Sequence, residues 1–177
     1  MKKRFIITLL AALLCLALPA GCGVTTITEQ PGNYVYRLNE PIDVIDIESR
    51  ETLGILTVTG VEVLLDEPFD VQENDGEDKA GKPILKTVTY SRIVQVFYTY
   101  TGSKRISGGN FTVWDSGNII GKNPEGMEPK PAYTPQAKKG QSSFTTALLH
   151  PEGPLDINFS YNFMQLHPTA RIQVELI

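Results

Sequence analysis

Apolar and polar positions alternate along most of this chain with the two-residue period of β-strands, not the 3.6-residue period of helices. Tyr34, Val35 and Tyr36 begin a first strand, and Ile42, Val44 and Ile47 mark a second. Residues 55–65 are rich in β-branched side chains, with Thr57, Thr59 and Glu62 between them, and Gly60 is expected to mark a bulge or kink. The strongest strand signal runs from Val88 to Tyr100. Val94, Val96, Tyr98 and Tyr100 share one face, and Ile93, Gln95, Phe97 and Thr99 share the other, which predicts a central strand partly covered on both sides. Phe111–Trp114, the turn Asp115–Asn118 and Ile119-Ile120 predict a hairpin. Asn123–Pro135 holds four prolines and reads as a loop, and Lys138–Gln141 is a turn before a strand from Phe144 to Leu149. The last two strands are Leu155–Met164, where Ile157, Phe159, Tyr161 and Phe163 alternate, and Ala170–Leu176, where Ile172, Val174 and Leu176 do. No segment carries a helical stripe. Seven or more short strands predict an all-β antiparallel sandwich, with a barrel as the alternative.

The start of the chain breaks the pattern. Lys2, Lys3 and Arg4 precede an apolar run from Phe5 to Leu18 that only Thr8 interrupts. As a helix the run measures about 21 Å, short of a hydrocarbon core of roughly 30 Å. Residues 1–21 therefore read as a cleaved secretory signal peptide. L-P-A-G-C at 18–22 resembles a bacterial lipobox: Ala20 and Gly21 are the small residues before the cysteine, and Pro19 stands where an apolar residue is usual. The expectation is lipidation of Cys22 and, because more than one chain is attached, a stable membrane anchor. The alternative is ordinary cleavage after Ala20 with Cys22 left as a thiol. Residues 22–32 then form a Thr-rich tether, roughly 30 Å when extended, and residues 33–177 form one domain.

Charge and cysteine usage narrow the partners. The 177-residue chain has a formal charge of −4, and the leader contains three cations and no acid, so the exported part is more negative still. Such a surface repels a phosphate backbone and argues against a nucleic-acid partner. Cys15 leaves with the leader. An acylated Cys22 leaves no thiol for a disulfide, a redox motif or a cysteine zinc site.

A long strand ending near Y-T-Y-T is followed by G-N-F-T-V-W-D-S-G-N, by K-K-G-Q-S-S-F-T-T-A-L-L-H-P and by a closing A-R-I-Q-V-E-L. This order resembles a group of bacterial lipoproteins with a telokin-like, immunoglobulin-like domain of unknown function. Phe111, Val113, Asp115 and Gly117 sit on that group's hairpin pattern, and Pro151 on its strand-ending proline. Lys139-Gly140 replaces the usual Pro-Gly. The resemblance spans about Pro41 to Leu176 and implies an immunoglobulin-like β-sandwich with no known catalytic residues.

Candidate chemistry is sparse. His150 and His167 are each followed by proline, which reads as strand termination, and no metal-ligand spacing joins them. The chain has no nucleophile elbow, phosphate loop or dinucleotide fingerprint, and no catalytic residue or cofactor is assigned. The acidic stretch Asp66–Asp78 offers hard oxygen ligands for calcium, but its glycine (Gly76) and its twelfth position from Asp70 (Gly81) miss the EF-hand register. It reads as a solvated loop between strands. Trp114 and Tyr133 are the candidate contact residues, for a protein partner or a glycan. The expectation is a non-enzymatic lipoprotein of the cell envelope, held to the membrane by Cys22 and meeting an envelope protein. The alternative is a surface binder of a small ligand, calcium or glycan.

Overall fold

In the computed structural model the described residues are 35–150, 152–161 and 163–176. The signal peptide, the tether, Cys22, Tyr34 and Pro151 lie outside them. The described residues form strands with two short 3-10 turns and no α-helix.

Eleven strands are present among these residues: β1 (Val35–Tyr36), β2 (Ile42–Asp46), β3 (Thr52–Leu65), β4 (Phe69–Glu77), β5 (Pro83–Tyr90), β6 (Arg92–Gly102), β7 (Phe111–Trp114), β8 (Ser142–Leu148), β9 (Pro154–Tyr161), β10 (Met164–His167) and β11 (Arg171–Glu175). One layer has the order β1-β11-β9-β7 and the other β10-β2-β3-β6-β8. The end of β9 joins them, with Ser160 and Tyr161 opposite Gln165 and Met164 of β10. The path of strands runs from β1 to β8, and among the described residues no strand joins β8 to β7, so the arrangement is consistent with a sandwich. One pair departs from the antiparallel expectation: β1 runs parallel to β11.

Alternation builds the core. Val94, Val96 and Tyr98 of β6 face Ile157 and Phe159 of β9, Val113 of β7 and Ile172 and Val174 of β11, and all are buried. Each such aliphatic side chain contributes about 1.5–3 kcal/mol by leaving water. On the other face of β6, Ile93 joins Ala147, Val71, Tyr90 and Met127 in a second, smaller cluster. Two-sided burial of β6 thus follows the pattern of its residues. The register of β3 on β6 slips at Gly60, where a bulge was expected.

Several boundaries differ from the expectation. Ile47 lies beyond β2 and is exposed. The run Val88–Tyr100 is two strands, broken at Ser91, whose amide turns to the carbonyl of Leu148. Leu155–Met164 is also two strands, with Phe163 exposed between β9 and β10. Ile119-Ile120 contributes only one bridge, Ile120 opposite Trp114. The largest correction concerns Asp66–Asp78. Most of it is strand β4, paired with β5 in a separate two-stranded sheet. Charged side chains alternate on that strand with Val71 and with Phe69, which stacks on Tyr90 at 5.7 Å, so the ladder and the buried root outweigh the acidic composition.

Candidate functional site

Three features carry polar chemistry: a buried carboxylate at the β7 turn, a charged cluster at the root of the β4–β5 hairpin, and a groove between the edges of the two layers.

The β7 turn is a three-residue hairpin loop. The Asn118 amide donates to the Asp115 carbonyl, Asn118 has φ 57°, and the Asp115 amide donates to the Ile119 carbonyl. Asparagine tolerates this left-handed backbone better than most residues. The Asp115 side chain, 1% exposed, holds the turn from inside. Its Oδ1 accepts from the amides of Gly117 and Ile119 at 3.0 and 2.9 Å, and its Oδ2 accepts from the amide of His150 at 3.0 Å. The Nδ1 of His150 lies 3.0 Å from the same Oδ2. Burial alone pushes this carboxyl up, but hydrogen bonds from Ile119 and from the side chain and amide of His150 outweigh it and hold the pKa below the ordinary value. An ionised carboxylate only accepts, so Nδ1 carries the proton. The imidazole lies over Gly117, where a Cβ would sit 2.4 Å from the ring. The dyad therefore ties the turn after β7 to the end of β8. His150 was read from the sequence as a strand terminator alone. The two partners are 35 residues apart, and no linear motif announces the pair.

At the hairpin root, Glu73 accepts from the Tyr90 hydroxyl and from the Lys122 ammonium, both at 2.5 Å. The Lys122 contact and then the Tyr90 hydroxyl hold the Glu73 carboxyl below its ordinary pKa. Burial, followed by the bond to Glu73, pushes the Tyr90 phenol up. For Glu73, as for Asp115, the folded chain binds protons less readily than the unfolded one. The resulting stability is complete above the unfolded carboxylate range and is lost as pH falls through the folded values. The unfolding midpoint is expected to decline progressively below about pH 5, with a shallower decline in Glu73→Gln. Thermal melts across pH 2–7 check this, and overlapping acid limbs for the two proteins would refute a contribution from Glu73.

Lys122 has a second role. Its amide and carbonyl bond the carbonyl and amide of Ala147 on the outer edge of β8, at 3.0 and 2.7 Å, while the Gly121 amide bonds the Val113 carbonyl of β7. Residues 119–122 are thus a strap across the open side of the sandwich. Next to it lies a groove of about 400 Å³ between the edges of β7 and β8, with Phe111, Phe144, Thr145, Gly109, Asn123 and Glu125 among its lining. Phe111 and Phe144 stack at its base, 4.8 Å apart. The Pro-rich loop forms a further wall. It is latched to β6 by Gln95, 1% exposed, whose amide donates to the Gln136 carbonyl and accepts from the Gln136 amide, as a neighbouring strand would.

The structure keeps the two expected contact residues apart. Trp114 alternates with inward-facing Val113 and stands half-buried on the outer side of β7. Tyr133 packs on the second cluster, on the outer side of the opposite layer. His167 ends β10, far from the His150 turn in the strand order. The carboxylates of Asp66–Asp78 are spread along β4, and among the described residues no three His, Cys, Asp or Glu side chains converge as a metal site would require. Neither the dyad, the strap nor the groove was legible in the sequence. No protein-family model, curated protein or solved structure matches this chain.

Proposed function

We propose that this chain is an exported lipoprotein, anchored through Cys22, whose sandwich is displayed at the cell envelope and recognises a protein partner without catalysing a reaction. The observation that carries this reading is the β4–β5 hairpin. Its root is packed through Val71 and Tyr90, but among the described residues the half from Asn74 to Leu85 pairs with no strand outside the hairpin and is exposed, with Ile84 and Leu85 at 46% and 59%. Apolar side chains held on a projecting, ordered arm are suited to burial against another protein. The sandwich itself is of the immunoglobulin-like kind. Its orders β3-β6-β8 and β7-β9-β11 correspond to the A-B-E and C-F-G orders of that fold, with the Lys122 bridge in place of a D strand beside β8. The lipobox and the short tether support display close to a membrane.

Two results test this. Wild-type protein is expected to incorporate labelled fatty acid and sediment with membranes, and Cys22→Ser to lose the label and appear in the soluble fraction. Crosslinking in intact cells is expected to yield one reproducible envelope protein with wild type and much less of it with the double variant Ile84→Ser, Leu85→Ser. Equal capture by both proteins would reject the arm, and an unlabelled, soluble wild type would reject the anchor.

A further inference from the structure

We propose that the open edge of β8 is a docking groove for an extended segment of a partner polypeptide, which adds as a strand along the backbone of Ser143 and Thr145. The inference rests on the recognition reading and gives it a second contact of defined chemistry.

The hydrogen-bond parity of β8 is fixed at two points. Leu148 turns its carbonyl inward, where it accepts from the Ser91 amide, and Ala147 turns both backbone groups outward to Lys122. Strand β8 pairs with β6 without a slip from Leu148 to Ser142. Successive residues in an antiparallel ladder alternate between facing the partner strand and facing away. Ser143 and Thr145 therefore share the outward parity of Ala147. Among the described residues nothing bonds to their backbone amides and carbonyls on that side. Both residues line the groove.

The occupant follows from this edge. Outward groups two residues apart repeat about every 6.8 Å, the repeat of an extended chain and not of a compact ligand. Lys122 already occupies the adjacent position as a single strand residue would, so a segment paired with Thr145 and Ser143 continues an interface that exists within the molecule. Alternate side chains of that segment would meet the Phe111–Phe144 pair, which favours an apolar residue there. The one charged residue lining the groove is Glu125, and the chain as a whole is acidic, so the segment is neutral to basic.

The test uses the full-length protein and a displayed library of random 12-residue peptides. Selection is expected to enrich peptides with alternating apolar residues and a Lys or Arg, and their binding to slow amide exchange at Ser143 and Thr145. Thr145→Pro removes an outward N–H and no ladder bond, a position where an edge strand accepts proline. It is expected to weaken the selected peptides at least tenfold. Gly109→Trp fills the groove from its rim, where a Cβ meets only the Ser107 hydroxyl at 3.8 Å, and is expected to do the same. Ile55→Ser, an exposed site on β3 two strands away, is expected to leave binding unchanged. Selected peptides that bind both groove variants as well as wild type, or a selection that enriches nothing, would overturn the proposal. An envelope protein captured from cells that is lost with the arm double variant but kept by Thr145→Pro would overturn the groove and leave the recognition reading standing. Binding of a sugar or other small molecule in the groove, with no peptide selected, would overturn it in favour of a compact ligand.

Discussion

Asp115→Ala is expected to destabilise the domain by about 3 kcal/mol. The side chain accepts four hydrogen bonds, three of them from backbone amides, and is almost wholly buried. Alanine leaves those donors facing one another across an emptied site. Water reaches Gly117 and Ile119, which are exposed, and this keeps the loss below the sum of the separate bonds. Asp115→Asn isolates the role of the charge. Its amide oxygen still accepts from Gly117 and Ile119, but its NH2 group then confronts the His150 amide, and the imidazole must take its other tautomer for Nδ1 to accept, so a loss of about 2 kcal/mol is expected. His150→Ala retains all three backbone bonds and is expected to cost only about 1 kcal/mol. Urea unfolding of the four proteins checks the order. A His150→Ala loss equal to that of Asp115→Ala would mean that the imidazole, and not the turn amides, is the main partner of the carboxylate.

This contrast shows which parts of the molecule a sequence discloses. The alternation in β6, β9 and β11 reports burial directly, because each side chain is sorted to a face by its own polarity. The hairpin at Asp115 was legible for the same local reason, through an Asx-type turn residue followed by glycine and asparagine. The β4 strand was not, because the seven acids of Asp66–Asp78 outvote its two large apolar residues in any composition-based reading, while Val71 and Phe69 are decided by what packs over them. The breaks at Ser91 and between β9 and β10 were hidden too. Each is a change of hydrogen-bond partner within an alternating run that reads as one strand, and periodicity carries no mark of it. The groove depends on register between strands distant in sequence, and on a strap whose two bonds to Ala147 have no signature in G-K-N. The functional surface proposed above consists of what remains unpaired after folding, and a pattern of residue types does not record that.

Phe111→Ala is expected to cost about 4 kcal/mol and to abolish peptide selection in the groove. The ring is the hub of the aromatic contacts between the layers: it lies 4.8 Å from Tyr98 and from Phe144 and 5.3 Å edge-on to Phe159. Truncation removes one partner from each of three rings that sit on β6, β8 and β9, in both layers. The cavity opens onto the groove, so water enters it, and the site collapses less than an enclosed one would. Phe144→Ala touches the same stack from its exposed side. Phe144 is only half-buried, and about half the stability loss is expected there, roughly 2 kcal/mol. Peptide affinity should nevertheless fall as far with Phe144→Ala as with Phe111→Ala, because the base of the groove is lost in both. Denaturant unfolding together with peptide titration separates the two effects. If affinity tracked stability across the pair, the aromatic base would be part of the core alone, and the contact with the docked strand would have to be made through the β8 backbone without it.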